Sequence, residues 1–240
     1  MRAAAGLAPL TRRLVYASRR TRLPADGTTL RLRVGRVELR GWEVNPGQAR
    51  ALVYFGGNSE GVEWLRPVLA EHFPGHTSYL LAYRGYGASG GRPTQRALTA
   101  DAVALHDHVA TRHPQAAVDV VGRSLGSGVA TQVAVRRPVG RLVLVTPFDS
   151  LAATAADLFP RLPVRHLVHD RWDSAAVAHR VLARVLVVRA GRDALVRPAR
   201  TDRLLEVLPC GTRVVDLPEA DHGDLVDDPA FWPAIQGFLD

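Results

Sequence analysis

The sequence predicts one α/β domain. It has a mostly parallel sheet of about eight strands, opened by an antiparallel hairpin and flanked by helices on both faces. Three observations point to it. Two alternating segments, 30–34 and 36–40, are split by Gly35. Short continuous apolar runs follow Pro46, at 51–55, 78–83, 118–121, 142–145, 185–188 and 213–217. Helical patterns separate them, at about 60–71, 94–112, 125–136, 174–182, 199–208 and 228–239.

Each element has its own signal. The first two segments alternate with period two, as a half-exposed hairpin does. The later runs are apolar at successive positions, which suits strands covered on both faces. Helices between such strands imply right-handed parallel crossovers. The basic stretch 1–27 reads as a partly helical N-terminal extension, and 28–240 as a single domain. Residues 148 to about 173 interrupt the rhythm. Pro160 and Pro163 break helices there, so the stretch suits a short cap over the sheet edge.

Composition narrows the function classes. The formal net charge is +8, and all 31 basic residues are arginine. The arginines are dispersed and carry no interleaved aromatics, which argues against nucleic acid as a partner. The densest group is Arg12, Arg13, Arg19, Arg20 and Arg22, beside Leu14, Val15 and Tyr16. That cluster suits a weak peripheral contact with anionic membrane. Cys210 is the single cysteine, so no disulfide framework exists. No apolar run reaches the ~18 residues of a membrane span, and the N-terminus makes a poor signal peptide. The expectation is a cytoplasmic protein.

Four segments carry chemistry. Gly122-Arg-Ser124-Leu-Gly126 follows an apolar strand and opens a helix. Glycine two before and two after a serine leaves room for a tight, strained turn that lifts the hydroxyl clear. The Leu125 N–H then lies at a helix N-terminus, where it can donate to a developing oxyanion. Phe55-Gly-Gly-Asn58-Ser-Glu-Gly61 follows an earlier strand. There the Asn58 N–H is the expected second donor, with Gly57 shaping the turn. Asp193 lies in Ala190-Gly-Arg-Asp193 after the run 185–188, and His222 in Ala220-Asp-His222-Gly after 213–217. A serine needs a base to take its proton. An imidazole supplies it when a carboxylate fixes its tautomer. Ser124 is therefore the expected nucleophile, His222 the base and Asp193 the orienting acid. Asp149 is a rival acid, and Asp221 sits too close in sequence to its histidine. Leu125, Phe148, Leu151, Phe159 and Leu162 are the expected pocket lining.

At these residues the chain resembles a known family. Tyr83-Arg-Gly-Tyr-Gly-Ala-Ser-Gly-Gly-Arg-Pro93, Gly122-Arg-Ser-Leu-Gly-Ser-Gly, Thr146-Pro-Phe-Asp-Ser150 and Asp170-Arg-Trp-Asp-Ser174 are similar to Bem46-like α/β hydrolases. That group lies near the serine aminopeptidase and monoacylglycerol-lipase-like groups. The resemblance spans roughly 30–239. It implies the α/β-hydrolase fold, whose chain order is Ser, Asp, His, and a serine hydrolase of carboxylic esters or thioesters that uses no cofactor. Relatives commonly carry His-Gly-Asn where this chain has Gly56-Gly57-Asn58. Two other readings keep the fold: a catalytically idle binding scaffold, and an acyltransferase using the same three residues.

Other motifs carry less. Gly85-Tyr-Gly87-Ala-Ser-Gly90 matches a dinucleotide fingerprint, but Gly91-Arg-Pro93 delays the helix it requires. His106 and His108 are two apart on one helix, about 200° around it, and cannot chelate together. His166, His169 and Asp170 could converge if helical, yet no metal is expected.

Overall fold

The computed structural model describes residues 15–17 and 21–240, apart from the side chains of 165 and 166. The strands are β1 (Leu30–Val34), β2 (Val37–Val44), β3 (Arg50–Phe55), β4 (His76–Leu81), β5 (Val118–Arg123), β6 (Arg141–Val145), β7 (Arg184–Ala190) and β8 (Arg213–Leu217). They form one eight-stranded sheet in the order β1-β2-β4-β3-β5-β6-β7-β8. β1 and β2 pair antiparallel, as do β2 and β4, and every later pair is parallel.

The helices are α1 (Leu65–His72), α2 (Gln95–Arg112), α3 (Leu125–Ala134), α4 (Leu151–Leu158), α5 (Val164–Leu167), α6 (Ala175–Ala178), α7 (Pro198–Leu205) and α8 (Phe231–Leu239). Leu98, Leu105 and Val109 of α2 share one core with Val129 and Val133 of α3, Ala178 of α6 and Leu204 of α7. Leu65 and Leu69 of α1 share the other with Phe231, Ile235 and Phe238 of α8. The sheet lies between, so β3 and β6 are almost wholly buried. That is why their sequences are continuous apolar runs.

Several expected boundaries move, each for a local reason. The helix expected from 60 begins at Leu65, behind a 3₁₀ turn at Val62–Trp64. The Pro67 ring forbids an α-helical carbonyl four residues back, so it must sit in a first turn. Pro233 does the same for α8, which starts at Phe231 rather than 228. The strand expected at 78–83 is β4, two residues earlier, because its pairing with β3 ends at Leu80 and that with β2 at Leu81. The helix expected at 174–182 is α only over Ala175–Ala178. Arg180 and Val181 continue it with tighter bonds to Val177 and Ala178. The second hairpin strand is not half-exposed throughout: past Gly41 it pairs with β4 and is mostly buried.

Between β6 and α6 the chain leaves the sheet and builds α4 and α5. A bridge between Ser150 and Asp173 closes the ends of this excursion. No helix among the described residues is long and apolar enough to cross a membrane.

Candidate active site

Ser124 stands between β5 and α3 with φ 51° and ψ −115°. This left-handed region is costly for a residue with a side chain, so the surroundings must enforce it. They do. The Ser124 N–H donates to the Val145 carbonyl at 2.9 Å, and Ser127 Oγ donates to the Ser124 carbonyl at 2.6 Å. A methyl group on Gly122 would strike the Gly126 carbonyl, and one on Gly126 would strike that of Phe55. Both glycines are thus required by space.

The parallel sheet brings the other strand ends alongside. Asp193 follows β7 and is buried. Its Oδ1 accepts the N–H groups of Leu195 (2.9 Å) and Val196 (2.7 Å), which leaves Oδ2 facing His222 Nδ1 at 2.7 Å. His222 follows β8, and its Nε2 lies 3.0 Å from Ser124 Oγ. The structure therefore brings Ser124, His222 and Asp193 into one hydrogen-bonded line. Asp149 is elsewhere engaged, paired to Arg200 at 3.1 Å. Asp221 builds the turn under His222. The Asp224 and Gly223 N–H groups bond its carboxylate and hold its pKa below the usual carboxylate range.

The loop after β3 lies across from the serine. The Gly56 carbonyl accepts the Tyr83 hydroxyl at 2.9 Å, while the Gly57 N–H donates to Glu60 Oε2 at 2.5 Å. These two groups belong to one planar peptide unit, so that unit is pinned at both ends. The Asn58 side-chain oxygen accepts the Tyr86 hydroxyl at 2.8 Å and the Ala17 N–H at 3.0 Å. Tyr83 and Tyr86 from a neighbouring turn, the Ala17 backbone and the loop's own Glu60 thus hold the loop. Burial pushes the phenols of Tyr83 and Tyr86 upward, so both stay protonated donors. Among the described hydrogen bonds, none uses the N–H of Asn58 or Leu125.

A cavity of about 380 Å³ opens beside Ser124. Phe148 and Leu151 line it with Leu125, and Phe159 and Leu162 form its exposed mouth. The remaining described lining is apolar too, apart from Asn58 and Thr154. The Thr154 hydroxyl is spent on the Ser150 carbonyl. Val15 also lines the cavity, and the neighbouring Tyr16 is buried, its hydroxyl accepting the Trp172 indole N–H at 3.0 Å. This part of the expected membrane cluster lies inside the fold. Arg12, Arg13, Leu14, Arg19 and Arg20 fall outside the described residues, and Arg22 is exposed.

The other candidates take other roles. The glycines at 85–90 close a turn through Gly85 N–H to the Gly90 carbonyl. His106 is buried against the Pro138 carbonyl. His166 has no described side chain. Among the described residues, no cluster of three histidines, cysteines or carboxylates could hold a metal ion.

Tyr83, Tyr86, Glu60 and Arg123 lie inside the motifs given above, and their roles emerge only in the folded chain. Their signal was present as aromatic and charged residues inside glycine-rich turns, where solvated small residues are the rule.

The model for "Serine aminopeptidase, S33" matches residues 49–177. An uncharacterized protein of Mycobacterium tuberculosis is 35% identical over 212 residues, covering 85% of this chain and 75% of that protein. The enol-lactonase of Burkholderia xenovorans LB400 has a TM-score of 0.69 at 19% identity, covering 88% of this chain and 99% of that one. A Pyrococcus furiosus esterase has a TM-score of 0.67 at 19% identity, covering 88% of each chain. At such identities the structural likeness shows the fold alone.

Proposed function

The chain belongs to the serine aminopeptidase S33 family, with the α/β-hydrolase fold, and from that premise we propose that it is a serine hydrolase of carboxylic esters or thioesters. The observation that carries this reading is the unbroken line Asp193–His222–Ser124, with spacings of 2.7 and 3.0 Å.

In the proposed reaction Ser124 Oγ attacks the acyl carbonyl while His222 Nε2 takes its proton. Asp193 holds the imidazole in the required tautomer and stabilises the imidazolium. The carbonyl oxygen becomes an oxyanion and receives hydrogen bonds from the Asn58 and Leu125 N–H groups. One such donor is worth roughly 10²–10³ in rate. The tetrahedral adduct collapses, and the imidazolium protonates the departing alcohol or thiol. Water, deprotonated by His222, then attacks the acyl-enzyme and releases the acid.

The cavity supports esters over peptides. Among the described residues its lining holds no carboxylate to receive a free α-ammonium group. Burying that charge unpaired would be costly, whereas an uncharged acyl chain gains from an apolar lining.

The test uses a fluorophosphonate probe and a p-nitrophenyl ester panel from butyrate to palmitate. Wild-type protein is expected to be labelled at Ser124. Ser124→Ala is expected to lower turnover by roughly 10⁴-fold or more. Folded wild-type protein that neither reacts nor turns over would refute the reading. Product analysis with competing alcohols separates hydrolysis from acyl transfer.

A further inference from the structure

Glu60 and Arg123 lie outside the proposed proton relay, and they join its two halves. The Glu60 side chain is only 7% exposed. Its Oε2 accepts the Gly57 N–H, and its Oε1 accepts the Tyr54 hydroxyl at 3.1 Å. The same Oε1 lies 3.5 Å from one terminal nitrogen of Arg123. The other terminal nitrogen of Arg123 donates to the carbonyls of His222 (3.0 Å) and Gly223 (3.1 Å). One ion pair therefore touches the loop that would bind the oxyanion and the loop that carries the base. The arginine also adjoins Ser124 in the chain.

We propose that Glu60 and Arg123 form a positioning pair that sets the oxyanion loop and the histidine loop against one another. The inference rests on the hydrolase reading for its effect on rate, but the coupling itself is a property of the fold. The physical case has two parts. Gly57 has no side chain to restrict its backbone, so the direction of the next N–H, on Asn58, is only as fixed as the peptide before it. Glu60 fixes the N–H of that peptide. The histidine turn, in contrast, is exposed at Asp221, Gly223 and Asp224. It is anchored to the interior by the Arg123 bonds and by the Asp193–His222 contact. A guanidinium suits the task because its rigid fork reaches two carbonyls while facing a carboxylate. Losing either partner leaves the other as a buried, uncompensated charge, and its loop without a fixed end.

Three variants test this: Glu60→Ala, Glu60→Gln and Arg123→Met, with the double variant Glu60→Ala/Arg123→Met. Rates are normalised to sites titrated with fluorophosphonate, so unfolded protein does not count. Glu60→Ala and Arg123→Met are each expected to lower kcat roughly tenfold or more, with KM within about twofold. The double variant is expected to fall no further than the worse single, because the two act as one unit. Glu60→Gln keeps an acceptor for the Gly57 N–H and is expected to lose less than Glu60→Ala.

Amide hydrogen exchange supplies a readout independent of activity. Each single alanine or methionine substitution is expected to speed exchange in both loops, 56–61 and 221–224. Multiplying kcat losses, a change confined to KM, or faster exchange only in the loop nearer the substitution would overturn the pairing. Should wild type show no Ser124-dependent turnover, the hydrolase reading falls, and the exchange pattern still decides whether the loops are coupled. Glu60→Gln serves both arms if the harsher variants fail to fold.

Discussion

The two sides of the cavity are built on opposite principles. On the floor, the peptide between Gly56 and Gly57 is clamped by Tyr83 and Glu60, and Asn58 by Tyr86, all with directional bonds and mostly buried partners. On the side of the expected cap, α4, α5 and the turn between them face the same space, and Leu158 of α4 and Phe159 and Leu162 of the turn remain substantially exposed. The strongest polar tie of α4 is Asp157 to Arg200 of α7, at 2.7 Å, with Asp149 sharing the same guanidinium. Directional bonds hold atoms to tenths of an ångström, whereas apolar contact holds only surfaces together. The floor is thus held atom by atom, and the side of the expected cap only surface by surface.

The largest expected effect separates the two sides by pH. Burial is the first cause that raises the phenol pKa of Tyr16, Tyr54, Tyr83 and Tyr86, all around the floor. Because the folded state keeps these protons, stability should be complete below the ordinary tyrosine pKa of about 10. Above it the unfolded chain ionises first and stability falls, by up to ~1.4 kcal/mol per pH unit for each phenol. The chain has no lysine to blur that window. Urea midpoints should be level from pH 8 to about 10 and drop steeply by pH 11. A level profile through pH 11 would mean that the floor is not sealed.

Next in size is the cap tie. Arg200→Met should remove about 3 kcal/mol of stability in urea unfolding, because Asp149 and Asp157 lose their shared partner. It should also alter the ranking of esters by chain length, since α4 is released. An unchanged ranking would show the cap to be as rigid as the floor.

Tyr86→Phe sharpens the contrast from the other side. It removes one bond to Asn58 and leaves that of Ala17. We expect kcat to fall about tenfold with KM little changed, in steady-state assays of a single short ester. The smallest effect belongs to the cavity mouth. Leu162→Ser should raise KM for octanoate a few-fold and leave butyrate alone, with stability within about 0.5 kcal/mol of wild type by thermal melting.

Sheet and crossovers were legible in the sequence because parallel strands covered on both faces need unbroken apolar runs, and 51–55 and 142–145 have them. The elbow at Ser124 was legible because its glycines answer to a steric demand within five residues. Asp193 and His222 could be picked out because they follow strands that end at the same edge of the sheet. Helix starts were harder to place, since Pro67 and Pro233 are compatible with any of the first few positions. Tyr83, Tyr86, Glu60 and Arg123 stand out as aromatic or charged residues beside glycines, but what each one holds could not be read, for a different reason. Tyr83, Tyr86 and Arg123 act through partners far along the chain (Arg123 and His222 are 99 positions apart), and Glu60 adds to its near contacts an ion pair with Arg123. No local pattern encodes such a pairing. Val15 entered the cavity by the same kind of distant contact.

Mutation can explore the five-residue turn around the serine at two places only. The positions of Gly122 and Gly126 exclude even a methyl group, and the serine itself is the proposed reacting residue. Leu125 borders the cavity and Arg123 reaches the histidine loop, so the two codons that flank the serine govern unrelated properties. A lineage descending from this chain could trade one substrate for another at the first without disturbing the base at the second.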